Sequence, residues 1–114
     1  MSLINTLFER FSAIRYVAVY KNGILTSEQR QQMVDASSSD SDKYEELLVN
    51  PALLTLARQR GNIDCGGLRF LLVAYGNFYQ LVKEIEGGHI SICLELNSDI
   101  IMVANEVLAF LDKN

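Results

Sequence analysis

The chain has no tryptophan, a single proline at Pro51, a single histidine at His89 and two cysteines, Cys65 and Cys93, in 114 residues. Such scarcity limits the chemistry that can be built. His89 and Cys93 share a strand face but stand roughly 13 Å apart along it, too far to form a nucleophile–base pair or bind one metal. Met1 to Phe11 alternates apolar and polar residues and carries Glu9 and Arg10, so it lacks the apolar core of an export signal, and both cysteines are expected to be free thiols. No apolar run approaches the roughly 18 residues of a membrane span. Cationic clusters are missing too: Lys and Arg number 10 against 14 Asp and Glu, a net charge of -4 with a pI near 4.9. Nucleic acid and anionic membrane are therefore not expected partners, and the cytoplasm is the expected compartment.

What the chain does have is core material. Hydrophobic residues make up 49% and charged residues 21% of a 12.8 kDa chain, which suits one domain over 1–114 able to bury roughly two-thirds of its unfolded surface. Leu3, Ile4, Leu7, Phe8 and Phe11 form one stripe of a short helix with Ser2 as its N-cap. Ile14 to Lys21 reads as an interior strand, Asn22-Gly23 as a two-residue hairpin turn, and Ile24 to Glu28 as a polar edge strand. Gln29 to Ala36 either prolongs that strand or begins a helix capped by Thr26 or Ser27. The Ser/Asp-rich stretch at 36–42 is expected to be a mobile loop.

Asp42 with Glu45 resembles a capping box opening a leucine-rich helix. Asn50-Pro51 either kinks that helix or caps a new one, and Gly61 is expected to end it. Leucines on more than one side suggest a helix buried on two sides. Leu68 to Tyr75, the run that ends at Glu84 and Glu86 near Gly87, and the strand from His89 to Leu96 follow as a meander broken by Gly76-Asn77 and Gly87-Gly88. Asn97 or Ser98 caps the last helix, whose stripe is Ile100, Ala104, Val107, Leu108 and Leu111.

The expected fold is therefore α+β, with element order α-β-β-α-β-β-β-α and a five-stranded antiparallel sheet. Joining hairpin and meander through their apolar strands gives the order 2-1-5-4-3. Ile90, Ile92, Leu94 and Leu96 should face the first and last helices, while His89, Ser91, Cys93 and Glu95 face the other way. The third strand is left as a hydrophobic edge, which invites pairing with a second copy of the chain.

Few constellations suggest catalysis. His89 reads as an ordinary surface or interface residue. Asp40 and Asp42 start a calcium-loop pattern that fails at Glu45, where glycine is needed, and at Pro51, where the closing glutamate belongs. Glu84 and Glu86 read as a solvated rim. Tyr75, Phe78 and Tyr79 cluster at a sheet end and are a candidate partner surface. No enzyme activity, cofactor or metal is expected.

Tyr16 to Leu25, the leucine-rich middle helix and Leu94-Glu95-Leu96-Asn97 leading into a helix resemble the Roadblock family of dynein light-chain-like and GTPase-regulating small proteins. The resemblance implies a Roadblock/profilin-like fold and a non-catalytic homodimer that binds a Ras-like small GTPase or serves as a scaffold. On this chain the implied dimer interface falls on Leu68, Phe70, Leu72, Leu53, Leu56 and Ala57. The alternative function is a small-molecule sensor domain on a similar sheet.

Overall fold

The computed structural model describes residues 2–31 and 38–113. Its elements are α1 (Leu3–Arg10), β1 (Ile14–Lys21), β2 (Ile24–Gln29), α2 (Ser39–Tyr44), a π-helical turn (Glu45–Val49), α3 (Asn50–Asp64), β3 (Leu71–Ala74), β4 (Tyr79–Ile85), β5 (Gly88–Leu94) and α4 (Ile100–Asp112). All five strands form one antiparallel sheet in the order β2-β1-β5-β4-β3. The β1–β2 turn is made as its residues require, with Asn22 at φ 53 and Gly23 at φ 82.

Each face of this sheet has its own cover. On one face Val17, Leu81, Ile90, Ile92 and Leu94 pack against Ile4 and Leu7 of α1 and Ala104, Val107 and Phe110 of α4. Burying each such side chain stabilises the fold by about 1.5–3 kcal/mol before ordering costs. Ser2 caps α1 by accepting from the Asn5 N–H. Arg30, at the end of β2, donates to the carbonyls of Phe8, Phe11 and Ile14 at 3.0, 3.2 and 2.7 Å. It therefore satisfies carbonyls left open where α1 ends.

The opposite face is covered by α2, the π turn and α3, which run as one continuous helix because Tyr44, Val49 and Asn50 all keep right-handed helical angles. Pro51 explains the widened turn. A proline inside a helix clashes with the carbonyl four residues back and cannot donate to it. Here the turn before Pro51 bonds one residue further, with the Asn50 N–H reaching the Glu45 carbonyl, so the helix passes Pro51 without ending.

Several boundaries differ from the sequence-based expectations. The middle helix begins at Ser39, capped by the Ser38 hydroxyl, so residues 39–42 are helical instead of a loop; the expectations for residues 32–37 lie outside the described residues. Gly61 does not end α3. It lies buried where the chain returns, and a Cβ there would stand 3.0 Å from the Gly67 carbonyl carbon and 3.1 Å from the Leu68 nitrogen. Its glycine serves close approach, not termination. β2 extends to Gln29, β3 is confined to Leu71–Ala74, and β5 ends at Leu94, which leaves Leu96 exposed. The cap of α4 is Asp99, which accepts from the Met102 N–H, instead of Asn97 or Ser98.

Candidate functional site

The sheet face beneath α2 and α3 is polar at its centre. β5 sends His89, Ser91 and Cys93 toward the helix, and the register sets Tyr16, Ala18 and Tyr20 of β1 and Gln80, Val82 and Glu84 of β4 beside them. From above, Glu46 and Asn50, one helical step apart, reach down to this layer. Glu46 and Asn50 are fully buried, and His89 is only 2% exposed. Glu46 Oε1 accepts from Asn50 Nδ2 at 2.9 Å and lies 2.8 Å from His89 Nε2. Because this oxygen already serves as an acceptor, the imidazole Nε2–H is assigned as the second donor. Gln80 Nε2 donates to Ser91 Oγ at 2.9 Å.

Beside this cluster lies a cavity of about 150 Å³ lined by Tyr16, Ser41, Asp42, Glu45, Glu46, Tyr75, Phe78, Gln80 and Cys93. Its floor is buried, whereas Ser41 and Tyr75 at its mouth are exposed. Glu46 Oε2, Gln80 Oε1 and the Tyr16 hydroxyl are buried without a hydrogen-bond partner. Ser27 lies near enough to Tyr16 to ease its ionisation slightly, but not in a full hydrogen bond.

The electrostatics of the cavity run one way. Burial, reinforced by the Glu46 and Asp42 carboxylates, pushes the Tyr16 hydroxyl up. Burial lifts the Cys93 thiol as well, with Glu46, Asp42 and Glu45 adding to the rise and Arg15 opposing it. Tyr75 is pushed up to about 12 by burial and by its hydrogen bond to Glu45, 3.0 Å long. Glu45 is itself raised, chiefly by burial. These are acids crowded together in a poorly hydrated space.

The expected site residues scatter over three surfaces. Phe70 and Leu72 pack toward the α1 and α4 layer, Leu53, Leu56 and Ala57 belong to the helix on the opposite layer, and Leu68 precedes β3. The six side chains therefore do not form one patch. Among the described residues β3 pairs only with β4, so its other edge is open. Leu71 and Val73, paired with Val82 and Gln80, point to the helix side of that edge and are half-buried. Pro51, Thr55 and Arg58 line a groove with Tyr20, Gly88 and His89. At about 100° per residue, Leu53 and Ala57 then lie on the flank of α3 away from that groove.

The aromatic cluster also divides. Tyr75 and Phe78 line the cavity with ring centroids 5.5 Å apart and planes tilted by 58°, and the Arg15 guanidinium lies 5.5 Å from the Phe78 ring, while Tyr79 packs into the core of the other face. His89 is not a surface residue. Glu84 is not a free rim carboxylate, because it pairs with Arg58, whereas Glu86 is exposed. Cys65 is exposed and Cys93 buried, and both are free.

Sequence reasoning missed Glu46, Asn50 and Gln80. Leucines marked the helix face to be buried, yet Leu47, Leu48, Leu53 and Leu56 are 44%, 59%, 37% and 66% exposed. The inward stripe is instead Glu46, Asn50, Leu54 and Gly61. The signal was present: a polar strand face at His89, Ser91 and Cys93 calls for polar groups at helical spacing above it. Among the described residues, no three His, Cys, Asp or Glu side chains converge to hold a metal ion, and no helix is long and apolar enough to cross a membrane. In sequence comparisons the chain matches no family model and no curated protein.

Proposed function

We propose that the chain is a non-catalytic adaptor domain of the cytoplasm that pairs with a second copy of itself along β3, the dimer then holding a Ras-like small GTPase or serving as a scaffold. The observation that carries this reading is the open β3 edge, with half-buried Leu71 and Val73 on it. An unpaired apolar edge is a template for another strand, and a two-fold axis beside it continues the sheet into the second copy. The same axis brings the α3 flanks together and covers Leu53 and Leu56. Tyr44 and Leu48, 61% and 59% exposed, remain for a third partner.

Sedimentation equilibrium at micromolar concentration tests the pairing, with twice 12.8 kDa as the expected mass. Leu53→Asp combined with Leu56→Asp alters two exposed positions and should return the chain to a monomer. A monomeric wild type would remove the proposal. Affinity capture under GDP and GTP-analogue loading tests the GTPase, and enrichment of no GTPase would remove that half of the reading. A second reading, a small-molecule sensor, is favoured by the cavity under α2.

A further inference from the structure

The cavity beneath α2 and the π turn combines features that the dimer reading does not use. Three carboxylates line it, from Asp42, Glu45 and Glu46, and among the described residues no Lys, Arg or His does. Two of them are engaged: Asp42 Oδ2 accepts from Gln29 Nε2 at 3.1 Å, and Glu45 Oε1 from the Tyr75 hydroxyl. The third is different. Glu46 is fully buried with Oε2 unpartnered among the described residues, and Gln80, 1% exposed and also lining the cavity, has an unpartnered Oε1. Both atoms are acceptors only, so what completes them must donate.

The walls narrow the choice further. Tyr16, Tyr75 and Phe78 supply aromatic surface around the acceptors, and aromatic faces attract cations. The Arg15 guanidinium is committed to Glu95 at 3.3 Å and to the ring of Phe78, one of the lining residues. A bare metal ion fits poorly, because the acidic groups do not converge on one point. A space of about 150 Å³ holds a molecule of roughly benzene size.

We infer that this cavity is a binding site for a small organic cation, an alkylammonium of about five to eight non-hydrogen atoms, whose N–H groups bond Glu46 Oε2 and Gln80 Oε1 while its carbon frame lies against Tyr16, Tyr75 and Phe78. The inference rests on the sensor reading for the existence of a ligand and is independent of dimerisation. The bound cation supplies the donor that the buried Glu46 Oε2 otherwise lacks, on the side of the carboxylate away from His89. It enters between Ser41 and Tyr75, the exposed residues of the lining.

The experiment is calorimetric titration and thermal shift of the full chain with cyclopentylammonium, with cyclopentanol as the neutral probe of the same shape and Mg2+ and Ca2+ as bare cations. Saturable stabilisation by the ammonium and none by the alcohol or the metals is expected. Glu46→Gln should weaken binding by about tenfold or more, as loss of a charge-assisted hydrogen bond does. Because that variant also alters the fully buried cluster, half-buried Glu45→Gln serves beside it, with an expected weakening of several-fold. No saturable response up to tens of millimolar, showing a water-filled cavity, overturns the inference. So do equal responses to ammonium and alcohol, which would leave a neutral-ligand sensor, or unchanged affinity in the folded variants.

Discussion

Glu46→Ala removes the acceptor at the centre of the buried cluster. His89 Nε2 and Asn50 Nδ2 then lose their shared oxygen, and neither has water to turn to, with exposures of 2% and 0%. An orphaned buried donor costs about 1–3 kcal/mol. Two of them come to about 2–6 kcal/mol, from which some relief is returned because a desolvated carboxylate with an unpartnered Oε2 has also gone. The expected loss is about 2–5 kcal/mol, a large part of the roughly 5–15 kcal/mol that holds such a domain together. Glu46→Gln keeps the accepting oxygen and should lose less. Urea unfolding followed by circular dichroism, for Glu46→Ala, His89→Ala and the double variant at one pH, reads the pair directly. A coupling energy of about 0.5–3 kcal/mol is expected between the two sites. Single-variant losses within about 0.5 kcal/mol of zero, or strictly additive losses, would show that the cluster is not closed.

Three further outcomes follow from local geometry. Gly88→Ala drives a Cβ into the Tyr20 carbonyl across the β1–β5 pairing and should cost more than about 3 kcal/mol in the same assay, whereas Gly76→Ala, with nothing within 4 Å, should be nearly silent; comparable losses would contradict the register. Burial raises Glu45 above its ordinary 4.5, against the opposing Tyr75 hydrogen bond, so the folded state holds this proton more tightly than the unfolded chain. Its contribution to stability is fully present below 4.5 and is lost as pH rises through the folded value. Glu45→Gln should thus flatten the stability curve just above pH 4.5 and be at least as stable as wild type at neutral pH; unfolding titrations showing a steeper slope in the variant would refute this. A disulfide reagent should label one thiol per native chain rapidly at Cys65, with Cys93 reacting only on unfolding; two fast thiols would contradict the burial of Cys93.

Element order, sheet order and the apolar layer beneath α1 and α4 were legible because their signals are local. Alternation over Ile90, Ile92 and Leu94 sets a strand face, Asn22-Gly23 sets a hairpin, and Ser2 sets a helix start. Termini were less legible at glycine and proline, where one residue has several uses. Gly61 reads as a helix stop in sequence, but the returning chain at Gly67 and Leu68 gives it another reason to be glycine. Pro51 reads as a break, but a single widened turn absorbs it. The candidate site was the least legible part. Leu47, Leu48, Leu53 and Leu56 outweigh Glu46 and Asn50 in any hydrophobic count, so a hydrophobic count alone turns the helix the wrong way round.

The sequence by itself determined which segments become helices and strands and which strand face is apolar, since those depend on residue spacing and turn chemistry along a few neighbouring positions. Only the tertiary structure decided that the middle helix turns Glu46 and Asn50 inward, because that choice follows from the polar His89, Ser91 and Gln80 it covers. A buried polar group must find its partner across space. That requirement joins residues 43 positions apart in the chain, as with Glu46 and His89, and no local periodicity carries it.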